Sequence, residues 1–141
     1  MTCALFVSPA ILAEEAERAE GHDRYIQTCS ICHMEKGEGV QGAFPPLDER
    51  LAEWASSKDG RRYLVSVLSK GLFGPIDVNG VRYAGAMPPM TGLGPADMAA
   101  ILNYVLGEFA AGTDQTFSSA EIEAILAELG QAPSRSLRPG S

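Results

Sequence analysis

Apolar side chains recur at helical spacing along much of this chain and alternate at strand spacing in one place. Met98, Ile101, Leu102, Val105 and Phe109 form the clearest stripe, the pattern of a helix with one face on a core. Gly94-Pro95-Ala96-Asp97 gives that helix its start, with Pro in the first turn and an acid beside it. Tyr63, Leu64, Val67 and Leu68 share a face over 61–70, and Gly71 is placed to end that helix. A third helix is expected over 15–33, rich in Glu and Ala at first and apolar at Tyr25 and Ile26. A fourth runs from Ser118, where Ser118 and Glu121 read as a capping box, to Leu129. A short helix around 51–56 holds the only tryptophan, Trp54, and Gly60 is expected to break the chain after it. Around Asn79-Gly80, apolar and polar residues alternate from Ile76 to Tyr83, which predicts a tight hairpin. Gly and Pro mark 34–48 and 84–93 as loops. The expected fold is all-α, with about four to five helices and a small β-hairpin near 76–83.

Composition narrows the picture. A chain of 141 residues is the size of one domain, expected over 14–130. Gly and Pro are frequent (15 and 9), so long loops join the helices, and a bound cofactor would supply core that such loops lack. The tail from 131 to 141 is rich in Ser, Pro and Arg and is expected to be disordered. Residues 1–13 are uncharged and mostly apolar, and Glu14-Glu15 follows them. This is the pattern of a secretory signal, with cleavage after Ala10 or Ala13. No Lys or Arg precedes the run, so a misassigned start, a short anchor, and a disordered or packed N-terminus are the alternatives, and the run is too short to span a bilayer. The formal charge is −7, and no basic patch offers a surface to nucleic acid. Such acidity serves solubility, or docking onto a partner with a basic face.

The candidate chemistry lies in two of the three cysteines, since Cys3 falls within the expected signal. Cys29-Ser30-Ile31-Cys32-His33 is a C-x-x-C-H haem-attachment sequence. Two thiols on one helical turn can form thioethers to the two vinyl groups on one haem edge, and the adjacent imidazole then lies beneath the iron. A redox dithiol also uses C-x-x-C, but no βαβ pattern surrounds this one. A structural zinc site needs four ligands. Only His22 remains as a fourth, and adjacent Cys32 and His33 suit a tetrahedron poorly.

A haem iron with one histidine needs a second axial ligand or an open face. His22 precedes the motif on the same expected helix and reads as a solvated side chain. Met34 is adjacent to His33 and cannot reach the other haem face. Met98 sits on an apolar stripe, where Met is normally core. Met87 and Met90 remain, both in a loop far enough along the chain to return over the opposite face. Met87, followed by Pro88-Pro89, is the expected ligand, with Met90 in reserve. A thioether favours ferrous iron and raises the potential.

These residues together resemble the class I c-type cytochrome family over roughly residues 17–110, extending to the helix near 118–129. The resemblance implies a cytochrome c fold around one covalently bound haem c per chain. It implies that an N-terminal helix crosses a C-terminal one, with Gly21 and Tyr25 packing at the crossing against Tyr104. In Phe44-Pro45-Pro46-Leu47 it implies that the Pro45 carbonyl accepts the Nδ1–H of His33 and that Leu47 lies on the haem. It makes Tyr83-Ala84-Gly85-Ala86-Met87-Pro88 the methionine-ligand loop. More weakly, the run from Gly71 through Met87 resembles cytochromes that are subunits or fused domains of periplasmic dehydrogenases and reductases. Trp54, Arg62, Arg82 and Tyr83 are candidates to hold the haem propionates.

Six-coordinate iron leaves no position for a substrate. The expected activity is therefore one-electron transfer in a periplasmic redox or respiratory chain, not catalysis by the chain itself. The expected partners are redox proteins (a dehydrogenase, reductase or oxidase), with no small-molecule substrate. The rival readings are a haem protein with an open distal face, catalytic or gas-sensing, and a non-haem zinc or dithiol module.

Overall fold

The computed structural model describes residues 8–140. In chain order the elements are α1 (Pro9–Thr28), α2 (Ser30–His33), α3 (Arg50–Ala55), α4 (Lys58–Lys70), β1 (Ile76–Val78), β2 (Val81–Tyr83), α5 (Pro95–Phe109), α6 (Ser119–Glu128) and a 3-10 turn (Ser134–Leu137). The fold is mostly helical, as the apolar periodicity predicts. The single turn α2 brings the α-helices to six among the described residues. Residues 1–7 of the expected signal lie outside the described residues; the rest of that segment, from Pro9, opens α1.

α1 crosses α5, and small size decides where. A Cβ on Gly21 would sit 2.3 Å from the Ala100 carbonyl oxygen and 2.8 Å from Tyr104 Cβ, so only glycine lets the helices approach this closely. One turn on, Tyr25 is fully buried, its ring 5.5 Å from that of Tyr104 and 5.2 Å from that of Phe109. Its hydroxyl donates to the Met34 carbonyl at 2.6 Å, which ties the crossing to the end of α2. Arg24 bridges the two helices through Asp97 at 2.7 Å, and Arg18 pairs with Glu108.

α5 also packs on α6, and α4 lies between α3, α6 and the 3-10 turn. Asn103 on α5 clasps one residue of the following loop at both ends. Its side chain accepts from Phe117 N–H at 2.7 Å and donates to the Phe117 carbonyl at 3.0 Å. Arg61 binds Glu121 at 2.5 Å, donates to the Ala55 and Thr116 carbonyls, and stacks over Phe117. Glu121 therefore completes only half of the expected capping box: its N–H binds Ser118 Oγ at 3.2 Å, while its carboxylate goes to Arg61. The hairpin has the expected form, with Ile76 opposite Tyr83 and Val78 opposite Val81. Asn79 and Gly80 are both at positive φ (51° and 76°), as a type I′ turn requires.

Three expectations are corrected. The first helix begins at Pro9, not 15, and is interrupted at Cys29. Gly60 does not break the chain; it is the third residue of α4, because Ser57 caps that helix by accepting from Gly60 N–H at 3.1 Å. A Cβ there would meet the Trp54 carbonyl at 2.1 Å, so the glycine serves close packing of α4 on α3. The described part of the tail, residues 131–140, is packed, not disordered. Ser134 is 3% exposed and donates to the Ser66 carbonyl at 2.9 Å, and Leu137 packs on the core. Lys70 Nζ donates to the carbonyls of Leu129, Gly130 and Ala132.

Candidate functional site

The motif folds as one turn. Cys29 closes α1, its N–H bound to the Tyr25 carbonyl, and His33 N–H returns to the Cys29 carbonyl at 2.9 Å. Cys29 is buried and Cys32 partly so, and neither is in a disulfide. Between them Ile31 points outward, 72% exposed. Burial pushes the Cys29 thiol up to about 11, so it stays protonated near neutral pH and is a poor nucleophile for thiol exchange. That disfavours the dithiol reading. Among the described residues no group of three or more His, Cys, Asp or Glu is placed to hold a metal ion. His22 is on the surface, half exposed beside Asp23 and edge-on to Tyr104.

The loop after the motif carries Pro45 to His33. Gly39 N–H binds the His33 carbonyl, Leu47 N–H binds the Gly37 carbonyl, and Val40 and Phe44 exchange two backbone hydrogen bonds. Gly39 (φ 63°) lies so close that a Cβ would meet the Phe44 carbonyl oxygen at 2.3 Å. The result is a contact of 2.9 Å between His33 Nδ1 and the Pro45 carbonyl oxygen. A carbonyl only accepts, so Nδ1 carries the proton and Nε2 is left with its lone pair, the form a metal ligand needs. Burial holds His33 below its ordinary pKa, against the opposite pull of the Pro45 carbonyl, so the imidazole stays neutral.

Backbone hydrogen bonds and packing on the core position Met87. It exchanges two hydrogen bonds with Leu72 (2.8 and 2.9 Å), and Met90 N–H binds the Leu68 carbonyl. Gly71 permits this approach: at φ 74°, a Cβ would lie 2.3 Å from the Met87 carbonyl oxygen.

These segments enclose a cleft of two chambers. The inner chamber is about 120 Å³ and the outer about 270 Å³, and both open to solvent. Cys29, His33, Pro45 and Met87 line both chambers. Leu47 lines the inner one only, and Cys32 and Met90 the outer one only. Met98 is in the core. The walls are otherwise mostly apolar, supplied by residues such as Leu64, Leu68, Leu102 and Val105.

Of the four propionate candidates, Trp54 lines the inner chamber and Tyr83 the outer. Arg62 faces a polar groove elsewhere, and Arg82 is exposed beside Asp77. The cations on the inner chamber are Arg50 and Arg138, and Tyr63 lies with them. Sequence reasoning missed both arginines. Arg50 sits at the start of a short helix and Arg138 in a tail without apolar periodicity, so only Arg50's place one turn before Trp54 hinted at either.

Comparison with known proteins gives a consistent result. The Cytochrome c family model matches residues 18–108. Cytochrome c-552 of Thermus thermophilus is 42% identical over 88 residues, 62% of this chain and 66% of that protein. The cytochrome c-552 of Thermus thermophilus strain ATCC 27634 is equally identical, with 59% of its length covered. The chain thus spans less than two thirds of either Thermus relative. The cytochrome c subunit of a quinone alcohol dehydrogenase from Gluconobacter oxydans (strain 621H) is 29% identical over 115 residues, 81% of this chain and 23% of that protein.

Proposed function

Since this chain belongs to the cytochrome c family, we propose that it is a periplasmic carrier of single electrons, with one haem c linked to Cys29 and Cys32 and ligated by His33 and Met87. The observation that carries this reading is the cleft itself. A neutral imidazole, oriented by Pro45, and a methionine, fixed by Leu72, line the same two apolar chambers. The donor set fits haem: one nitrogen, one soft sulfur and two unpaired thiols one turn apart. Met87 reaches both chambers and Met90 only the outer, which favours Met87 as the ligand.

Bound haem would supply the redox chemistry, a one-electron ferric/ferrous couple. The chain's residues tune and protect that couple. The Pro45 carbonyl fixes the His33 tautomer and raises its basicity. The Met87 thioether favours the reduced state. Leu47, Leu64 and Leu68 keep water from the inner chamber, so little reorganises when charge changes. Exposed Ile31 and half-buried Cys32 put the attachment turn at the surface, where an electron would pass to a partner. The proposed partners are a dehydrogenase, reductase or oxidase, met through a small, short-lived interface. The name of the Gluconobacter relative supports a dehydrogenase among them. The apolar run at 1–13 supports export.

The test is attachment. When the chain is exported alongside a haem-attachment system, its denatured mass should rise by one haem, and the Cys29→Ser/Cys32→Ser double variant should lose it. A wild-type chain without haem overturns the proposal.

A further inference from the structure

We infer that the C-terminal segment from Leu129 to Arg138 is a strap over α4 that ends at the inner chamber, and that its Arg138, with Arg50, forms the wall that receives the two haem propionates. This rests on the haem reading above. The strap follows a defined course. Lys70 Nζ gathers three of its carbonyls (2.7 to 3.3 Å), Ser134 is buried against Ser66, and an Arg138 guanidinium nitrogen donates to the Asp77 carbonyl at 2.7 Å. That course carries Arg138 from the far side of α4 to β1 and onto the chamber.

There it meets Arg50. The two guanidiniums lie 6.0 and 5.9 Å from the centre of the same Trp54 ring. Tyr63, 3% exposed, stands edge-on to Trp54 at 5.1 Å. Burial pushes the Tyr63 hydroxyl above its ordinary pKa while both arginines pull it down, so both are close to it. Asp48 orients Arg50 through two hydrogen bonds, at 2.7 and 2.8 Å. No carboxylate, amide or Ser/Thr side chain lines this chamber among the described residues. Apart from His33 and Cys29, its polar side chains are two guanidiniums, an indole N–H and a phenol. Such a set, at one end of an apolar chamber, matches a ligand whose apolar body ends in carboxylates.

The experiment measures the midpoint potential of the full-length holoprotein as wild type and as Arg138→Gln, Arg138→Lys, Arg50→Gln and Arg135→Gln. A positive charge beside the propionates favours the reduced haem. Arg138→Gln should therefore lower the potential, as should Arg50→Gln. Arg138→Lys should restore most of it, and Arg135→Gln, on the same strap but outside the chamber, should change it least. An unchanged potential in Arg138→Gln, or equal shifts in the Gln and Lys variants, overturns the inference. Absorption spectra of the same samples separate the two ideas. A wild-type chain without a His/Met haem spectrum overturns the underlying reading, whereas normal spectra with an unmoved potential overturn only the strap.

Discussion

At residue scale, single polar contacts hold the loops that shape the cleft. Asp48 is a clear case. Burial alone would raise its carboxyl, but hydrogen bonds and charge from Arg50, with help from the Asn79 amide at 3.1 Å, hold it below the usual carboxylate range. A depressed carboxylate stabilises the fold above its unfolded pKa of about 4, and that contribution is lost as pH falls through the folded value. Asp48→Asn should therefore lower Tm at neutral pH, and the gap from wild type should close in acid. Melting curves of both proteins against pH check this; a gap constant with pH would mean that the charge plays no part. The motif, its histidine and the Pro45 contact were legible in the sequence because chemistry fixes their spacing. Arg50 and Arg138 were not, because the sequence does not show which surface cation turns inward.

Elements were legible where a periodic apolar face met a core. α4, α5, α6 and the hairpin all lie where the pattern puts them, within a few residues. Glycines were harder to read, since one residue type serves opposite ends. Gly71 ends α4 as expected, but it also lets the chain approach Met87 within a distance that a Cβ would forbid. Gly60, expected as a break, lies inside a helix for the same reason of close approach. Gly71→Ala should cost about 1–3 kcal/mol from its backbone conformation alone, and more from the clash with Met87. Because the displaced atom belongs to the proposed ligand's own backbone, this variant should weaken Met87 ligation as well as stability. Thermal unfolding read beside the near-infrared band of the ferric protein tests both. Loss of stability with an unchanged band would separate the turn from the ligand.

At the scale of the molecule, the tail shows where sequence reading stopped. Its anchoring is largely to backbone carbonyls, through Lys70, Ser134 and Arg138, and backbone carbonyls leave no mark in a sequence. Net charge of −7 is legible but double in meaning. If it steers docking, the rate constant for reducing a basic redox partner should fall as ionic strength rises. Stopped-flow kinetics at several salt concentrations would show it, and a flat dependence would assign the acidity to solubility. Ligation of one haem by His33 and Met87 is probed most sharply by absorption spectra of the haem-loaded protein beside Met87→Ala, oxidised and reduced, with and without carbon monoxide. The wild type should be low-spin, with the weak near-infrared band of Met-ligated ferric haem and no response to carbon monoxide. Met87→Ala should lose that band and bind the gas. A wild type that is high-spin and binds carbon monoxide, or a Met87→Ala spectrum identical to wild type, would refute this ligation.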